Sequence, residues 1–495
     1  MKRLRTLMNQ CDHLEYRGRF DELATSGGKG RPPRSSPFLF ADGNRGVEPR
    51  SPNKTRIGLT FWMHPAIIYF AGLLLTVLAV PPAIAIEPPK WDLEKLLQAP
   101  AAVEAQQGKV PGLESLYLDG LPYRGRPTRF YAYFGMPKDI PSQVPAVVLV
   151  HGGGGTAFAD WVNYWTAKGY AALALDTEGH VPVKVHQSKP GDSGWLTIDS
   201  LNLGWCGPPG RAWEPKTAAG YADGQLPPDE QWLYHAVADS ILSVSWLAAH
   251  PKVDKEHIGI VGISMGSIVC SLVGGIDDRL AFVVPQYIGG NNDLGNVWYA
   301  GIQANPEVRK WDPANFYRQS TGRADWLWIN GINDKYGLPP MTSQSYRETG
   351  PRSWMCLLPT QGHGHVWIEK GKNAVREIYA FADSVTKGTP PLTRILRTAL
   401  SDSRVTIAWE AKVPVARAQL CYTQELVPTI EIAGELRKDW EKVRYQIDEL
   451  ALPTVIDLPD GAKQAVFSLP EGLKAGFVNL IDSRDLSISS EFFGG

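Results

Sequence analysis

A chain of 495 residues with 43% hydrophobic and 20% charged side chains has enough apolar material for packed cores in two or three domains, which excludes an intrinsically disordered protein. The formal net charge of −1 hides an asymmetry: residues 1–62 hold 12 Lys/Arg and 6 Asp/Glu, residues 63–85 hold none, and the remainder carries −7. A mildly acidic body does not suit a nucleic-acid partner.

Residues 1–62 are rich in Arg, Pro, Gly and Ser and read as a disordered basic tail, or as an over-extended start ahead of Met63. Residues 63–85 have the parts of a secretory signal: an apolar core at 66–80, then Pro81-Pro82, then a small-x-small site at Ala83-Ile84-Ala85. Cleavage there would leave Ile86 as the first residue of a secreted or periplasmic protein. Retained instead, 66–80 would be a membrane anchor with the basic tail on the cytoplasmic side. Of the cysteines, Cys206, Cys270, Cys356 and Cys421 follow this segment, with no Cys-x-x-Cys or Cys/His metal spacing. No metal is expected, while export is compatible both with disulfides and with buried thiols.

Beyond the Pro/Ala-rich stretch 86–112, Leu116–Leu118 and Thr128–Phe134 alternate as antiparallel edge strands do. Val144–Val150 is continuously apolar, the mark of a strand buried on both faces of a mostly parallel sheet, and it runs into His151-Gly152-Gly153-Gly154-Gly155. Glycines there let a backbone N–H turn inward, so Gly153 is a candidate oxyanion donor. The Gly-x-x-x-x-Gly-Lys pattern of a phosphate loop is absent. A helix over Phe158–Lys168, closed by Gly169, and a strand over Tyr170–Asp176 follow. Residues 177–230 carry no clear periodicity and include Trp195, Trp205 and Trp213; an insertion at the end of a strand predicts an active-site rim.

A helix over Gln231–His250 leads into the β-branched run that ends in Gly262-Ile263-Ser264-Met265-Gly266. Strand, sharp turn and helix with serine at the apex make a nucleophile elbow, with the N–H of Met265 as second oxyanion donor. Downstream come strands over Leu280–Pro285 and Trp326–Asn330, with a loop-rich excursion over 288–320 between them. Asp334 stands in the turn after the second strand as candidate triad acid, with Asp325 and Asn333 as rivals. A strand over Trp354–Pro359 leads to Gly362-His363-Gly364-His365, where His363 is the candidate base and His365 its rival, and a helix near 372–387 follows. From residue 391 the texture changes to short β-like runs, among them 440–446, which predicts an accessory β-sandwich over 391–495 beside a main domain over 86–390.

Taken together, the Val150–Gly155 loop, the Gly262–Gly266 elbow, Asn330–Asp334 and Gly362–His365 make the chain resemble the α/β-hydrolase superfamily. Within it the chain is similar to the secreted acetyl xylan esterase, dienelactone hydrolase and prolyl-oligopeptidase-like group, over about residues 110–390. The resemblance implies an α/β fold and a serine hydrolase with Ser264 as nucleophile, Asp334 as acid, His363 as base and Gly153 with Met265 holding the oxyanion, and no metal or organic cofactor. Ser267 stands where peptidases of the group usually have glycine, no β-propeller precedes the domain, and a dienelactone hydrolase would carry Cys at 264. These departures favour an ester substrate. With 17 Trp in the chain, sugar stacking points to an acetylated carbohydrate. A peptidase, or a non-catalytic binding protein on this scaffold, are the alternatives.

Overall fold

The structure is a computed structural model that describes residues 87–139, 142–187, 196–202, 223–292, 306–320, 322–334, 336–363, 375–424 and 454–494. The expected leader at 63–85, the expected tail at 1–62, His365 and the expected strand at 440–446 lie outside these residues.

Among the described residues the main element is a nine-stranded sheet. Strands β1 (Ala102–Glu104), β2 (Glu114–Asp119) and β3 (Arg129–Gly135) pair antiparallel at one edge, and β3 pairs antiparallel with β5 (Ala171–Leu175). From β5 the sheet continues in parallel through β4 (Val144–Val150), β8 (Val253–Ile263), β9 (Phe282–Gln286), β10 (Asp325–Asn333) and β11 (Ser353–Gly362). The central strands are apolar without alternation because both faces are covered: Val147, Val148, Ile258, Ile260, Val283 and Leu327 are all buried. Strand order reverses between β4 and β8, so the loops leaving them diverge and open a crevice at their carboxyl ends.

Helices α1 (Ala159–Thr166) and α5 (Arg376–Lys387) lie on one face and meet through Trp165 and Tyr379, ring centroids 4.9 Å apart. Helices α2 (Trp232–Ala249) and α3 (Met265–Ile276) pack against each other on the other face. Helix α4 (Pro339–Glu348) packs beside β10 and β11; it starts on two prolines, which suit a first turn whose N–H groups have no intrahelical partner. Residues 177–230 differ from the expectation of an unpatterned loop: His180–Gln187 and Leu196–Asn202 form two antiparallel strands, β6 and β7.

After residue 391 the strands among the described residues are β12 (Arg394–Ser401), β13 (Arg404–Glu410), β14 (Val415–Thr423), β15 (Thr454–Asp457), β16 (Gln464–Ser468), β17 (Ala475–Asp482), β18 (Ser487–Ser489) and β19 (Phe493–Gly494). They form two antiparallel sheets, β12-β13-β16 and β15-β14-β17-β18 with β19 on β17, in line with the β-sandwich reading. Ile407, Trp409 and Phe467 of the first sheet share a core with Leu420, Val478 and Leu480 of the second. Phe477, Leu486 and Ile488 belong instead to the core of the large sheet, so the two regions are joined by apolar packing.

Candidate active site

Ser264 follows the last residue of β8 and precedes the first of α3, on a backbone with φ 56° and ψ −118°. Two glycines make that turn possible. A Cβ on Gly262 would collide with the carbonyl of Gly266, and one on Gly266 would collide with the carbonyls of Val150 and His151. The second approach also seats the start of the 151–155 loop against the elbow.

Asp334 sits in the turn after β10 and is 2% exposed. Its Oδ1 accepts the N–H groups of Tyr336 (2.7 Å) and Gly337 (3.2 Å), which leaves Oδ2 for His363, whose Nδ1 donates to it at 2.8 Å. Nε2 of His363 is therefore the acceptor, 2.7 Å from Ser264 Oγ. The sheet register produces this meeting. β10 and β11 run parallel with Asn333 opposite Gly362, so the next residue of each, Asp334 and His363, leave the sheet side by side. Ser264 arrives from two strands away and is tied to the intervening strand by its N–H, which donates to Gln286 O at 3.0 Å.

Of the rivals, Asp325 is placed away from the site. Asp325 begins β10, at the far end of the sheet, where Arg352 Nε donates to it at 2.5 Å. Asn333 ends β10 beside Asp334, with its backbone in the β10–β11 ladder, and its side chain is outside the described part of the structure. His365 is outside the described residues. Met265 opens α3, so its N–H has no partner within the helix. Gly153 is exposed, on a loop turned by the Gly155 N–H donating to Gly152 O at 3.0 Å.

Sequence reasoning passed over the groups that surround His363. Tyr287, just after β9, has its ring centroid 4.6 Å from the imidazole, and Tyr336 has its own at 4.5 Å. The only signal for either was position, one at a strand end and the other two residues beyond Asp334. Ser267, noted as a departure from the peptidase pattern, has its Oγ beside the carbonyls of Ser264 (2.5 Å) and Ile288, and accepts the Ile288 N–H at 3.2 Å. A glycine there could not tie the elbow to the segment after β9.

A central parallel sheet with an order reversal, helices on both faces and a serine on a strained turn between strand and helix define the architecture. This domain has the α/β-hydrolase fold. Residues 113–288 match the family model Acetyl xylan esterase (AXE1). Among solved structures it is similar to acetyl xylan esterase 1 from Thermoanaerobacterium sp. (19% identity, 56% of this chain and 90% of that chain, TM-score 0.40). It is also similar to a putative dienelactone hydrolase from Klebsiella pneumoniae (17%, 57% and 98%, TM-score 0.35) and to an acylaminoacyl peptidase from Pyrococcus horikoshii (14%, 56% and 43%, TM-score 0.39). No curated protein matches the chain.

Proposed function

We propose that the chain is an exported serine esterase that removes acyl groups, acetyl above all, from esterified carbohydrate. The observation that supports this reading is the continuous hydrogen-bond chain from Ser264 Oγ through His363 to Asp334 at the carboxyl ends of β8, β10 and β11. His363 Nε2 would take the hydroxyl proton as Ser264 Oγ attacks the ester carbonyl. The imidazolium formed is held by the Asp334 carboxylate, itself fixed by two backbone N–H groups. The N–H groups of Gly153 and Met265 would carry the oxyanion. His363 then protonates the leaving alcohol, and water repeats the sequence on the acyl-enzyme to release the acid. The match to the acetyl xylan esterase family supports the ester and the acetyl group; the tryptophans and the leader at 63–85 support a sugar substrate outside the cytoplasm.

Hydrolysis of acetylated xylan, p-nitrophenyl acyl esters and short peptides, alongside fluorophosphonate labelling of wild type and Ser264→Ala, tests the reading. Ester turnover and labelling that both vanish in the variant are expected. Turnover of peptides in place of esters would make the enzyme a peptidase, and absence of labelling would make it a binding protein.

A further inference from the structure

The loop that carries Gly153 is held from behind by residues 176–180, the segment that leaves β5. Glu178, 4% exposed, accepts the Gly154 N–H through Oε1 at 2.7 Å. His151 Nε2 accepts the Thr177 N–H at 3.0 Å, so the proton of this buried imidazole is on Nδ1, which donates to Gly152 O at 2.7 Å. His180 Nδ1 lies 3.3 Å from Gly155 O. The holding segment is itself braced: Asp176 Oδ2 accepts the N–H groups of Glu178 (3.1 Å) and His180 (2.7 Å), and Trp232 Nε1 of α2 donates to Thr177 O at 2.6 Å.

These bonds bear on one peptide unit. Gly152 C=O and Gly153 N–H belong to the same planar group and point in opposite directions. With the carbonyl fixed by His151 and by Gly155 N–H, the direction of the Gly153 N–H is fixed as well. Glu178 immobilises the next unit, 153–154, at a residue whose φ is +74°. A run of four glycines has more backbone freedom to lose than any other sequence, and an oxyanion donor is useful only when it is aimed before the reaction. A buried carboxylate against a loop amide supplies that restraint.

We propose that Glu178 is a positioning residue that holds the Gly153 N–H ready for the oxyanion, an inference that rests on the esterase reading. Glu178→Gln keeps an acceptor oxygen at Gly154, whereas Glu178→Ala removes it. Glu178→Met also removes it, keeps the side-chain length, and serves where the alanine variant does not fold. The acceptor-free variants are expected to lose about 10- to 100-fold in kcat, less than the loss of a whole oxyanion donor, with KM held within about twofold. The affinity of a trifluoromethyl ketone, which adds Ser264 and carries the oxyanion, falls in parallel, and that of the matching methyl ketone does not. Glu178→Gln stays near wild type in both. A kcat unchanged in Glu178→Met, a glutamine variant as impaired as the methionine one, or equal losses for the two ketones would overturn the proposal. Amide hydrogen exchange at 153–155 separates this from failure of the esterase reading. If wild type hydrolyses no ester, a loop that exchanges faster in Glu178→Met still supports the restraint, and unchanged exchange removes it.

Discussion

The ring of Tyr287 packs against the imidazole of His363, centroids 4.6 Å apart, from a backbone held at φ +82°. A left-handed conformation at a bulky residue costs about 1–3 kcal/mol and persists only where its surroundings enforce it. Here the Tyr287 N–H donates to Ile329 O at 2.7 Å, and its carbonyl lies against Gly337, where a Cβ would come within 2.5 Å. The strained turn places an aromatic ring against the imidazole of His363, where it would restrain the side chain. Tyr287→Phe is expected to keep kcat within about threefold, and Tyr287→Ala to lower it by about tenfold or more, since small misplacements of a general base are costly. Steady-state kinetics on a p-nitrophenyl ester check this, and an alanine variant with wild-type kcat would show that the ring does not position the base.

Ser267 ties the elbow to the segment that carries Tyr287. Replacing its buried hydroxyl by hydrogen leaves the Ile288 N–H without the acceptor it has at 3.2 Å. Ser267→Ala is expected to destabilise by about 1–3 kcal/mol, the penalty for an unsatisfied buried group. Urea unfolding of the two proteins measures it; equal midpoints would mean that the loop re-forms its bonds elsewhere.

Three buried groups set a pH dependence. Burial pushes Asp176 up to about 7 and lowers His151 to about 4. Burial, with Asp176 adding to it, also raises Asp239 well above the usual carboxylate range. Between about pH 4 and 6.5, folded His151 lacks a proton that it binds when unfolded, and folded Asp176 keeps one that it loses when unfolded, so the pair is balanced. Asp239 is not balanced: its contribution is complete below its unfolded pKa near 3.8 and is lost as pH rises through the folded value. The unfolding free energy of Asp239→Asn minus that of wild type is therefore expected to grow from pH 5 to pH 8 in urea titrations. A difference that stays constant or shrinks would contradict the assignment.

The last strand of the large sheet is closed by the C-terminal region. Leu357 N–H on β11 donates to Ser489 Oγ at 2.7 Å, Ser489 Oγ donates to Asn479 Oδ1 at 2.6 Å, and Asn479 Nδ2 donates to Leu357 O at 3.4 Å. Removal of residues 391–495 would bare this edge together with the apolar surface under Phe477, Leu486 and Ile488. Such a truncated chain is expected to aggregate, and Ser489→Ala in the full chain to lose about 1–3 kcal/mol for its buried backbone partner. A monomeric, active truncated protein on gel filtration would refute the first expectation, and an unchanged urea midpoint the second.

Much of the fold was legible in the sequence because it is encoded by neighbours. The apolar run Val144–Val150, the helix at 232–249 and the Gly262–Gly266 elbow each declare themselves through periodicity or through the space that a turn permits, and both are local properties. The polar helix Pro339–Glu348 and the strands at 180–187 and 196–202 were missed. The helix lacks a strong apolar stripe, and Pro182 interrupts the strand pattern. Residue types and chain order by themselves narrowed the candidates to Ser264, to Asp334 with Asp325 and Asn333 as rivals, and to His363 with His365 as its rival. Only the tertiary structure decided that Asp334 and His363 leave adjacent strands together, that Asp325 lies at the wrong end of β10, and that Glu178 and Tyr287 stand behind the loop and the imidazole. Those relations join residues far apart in the chain, and strand order and register, to which each segment contributes without specifying its partner, are what bring them within reach.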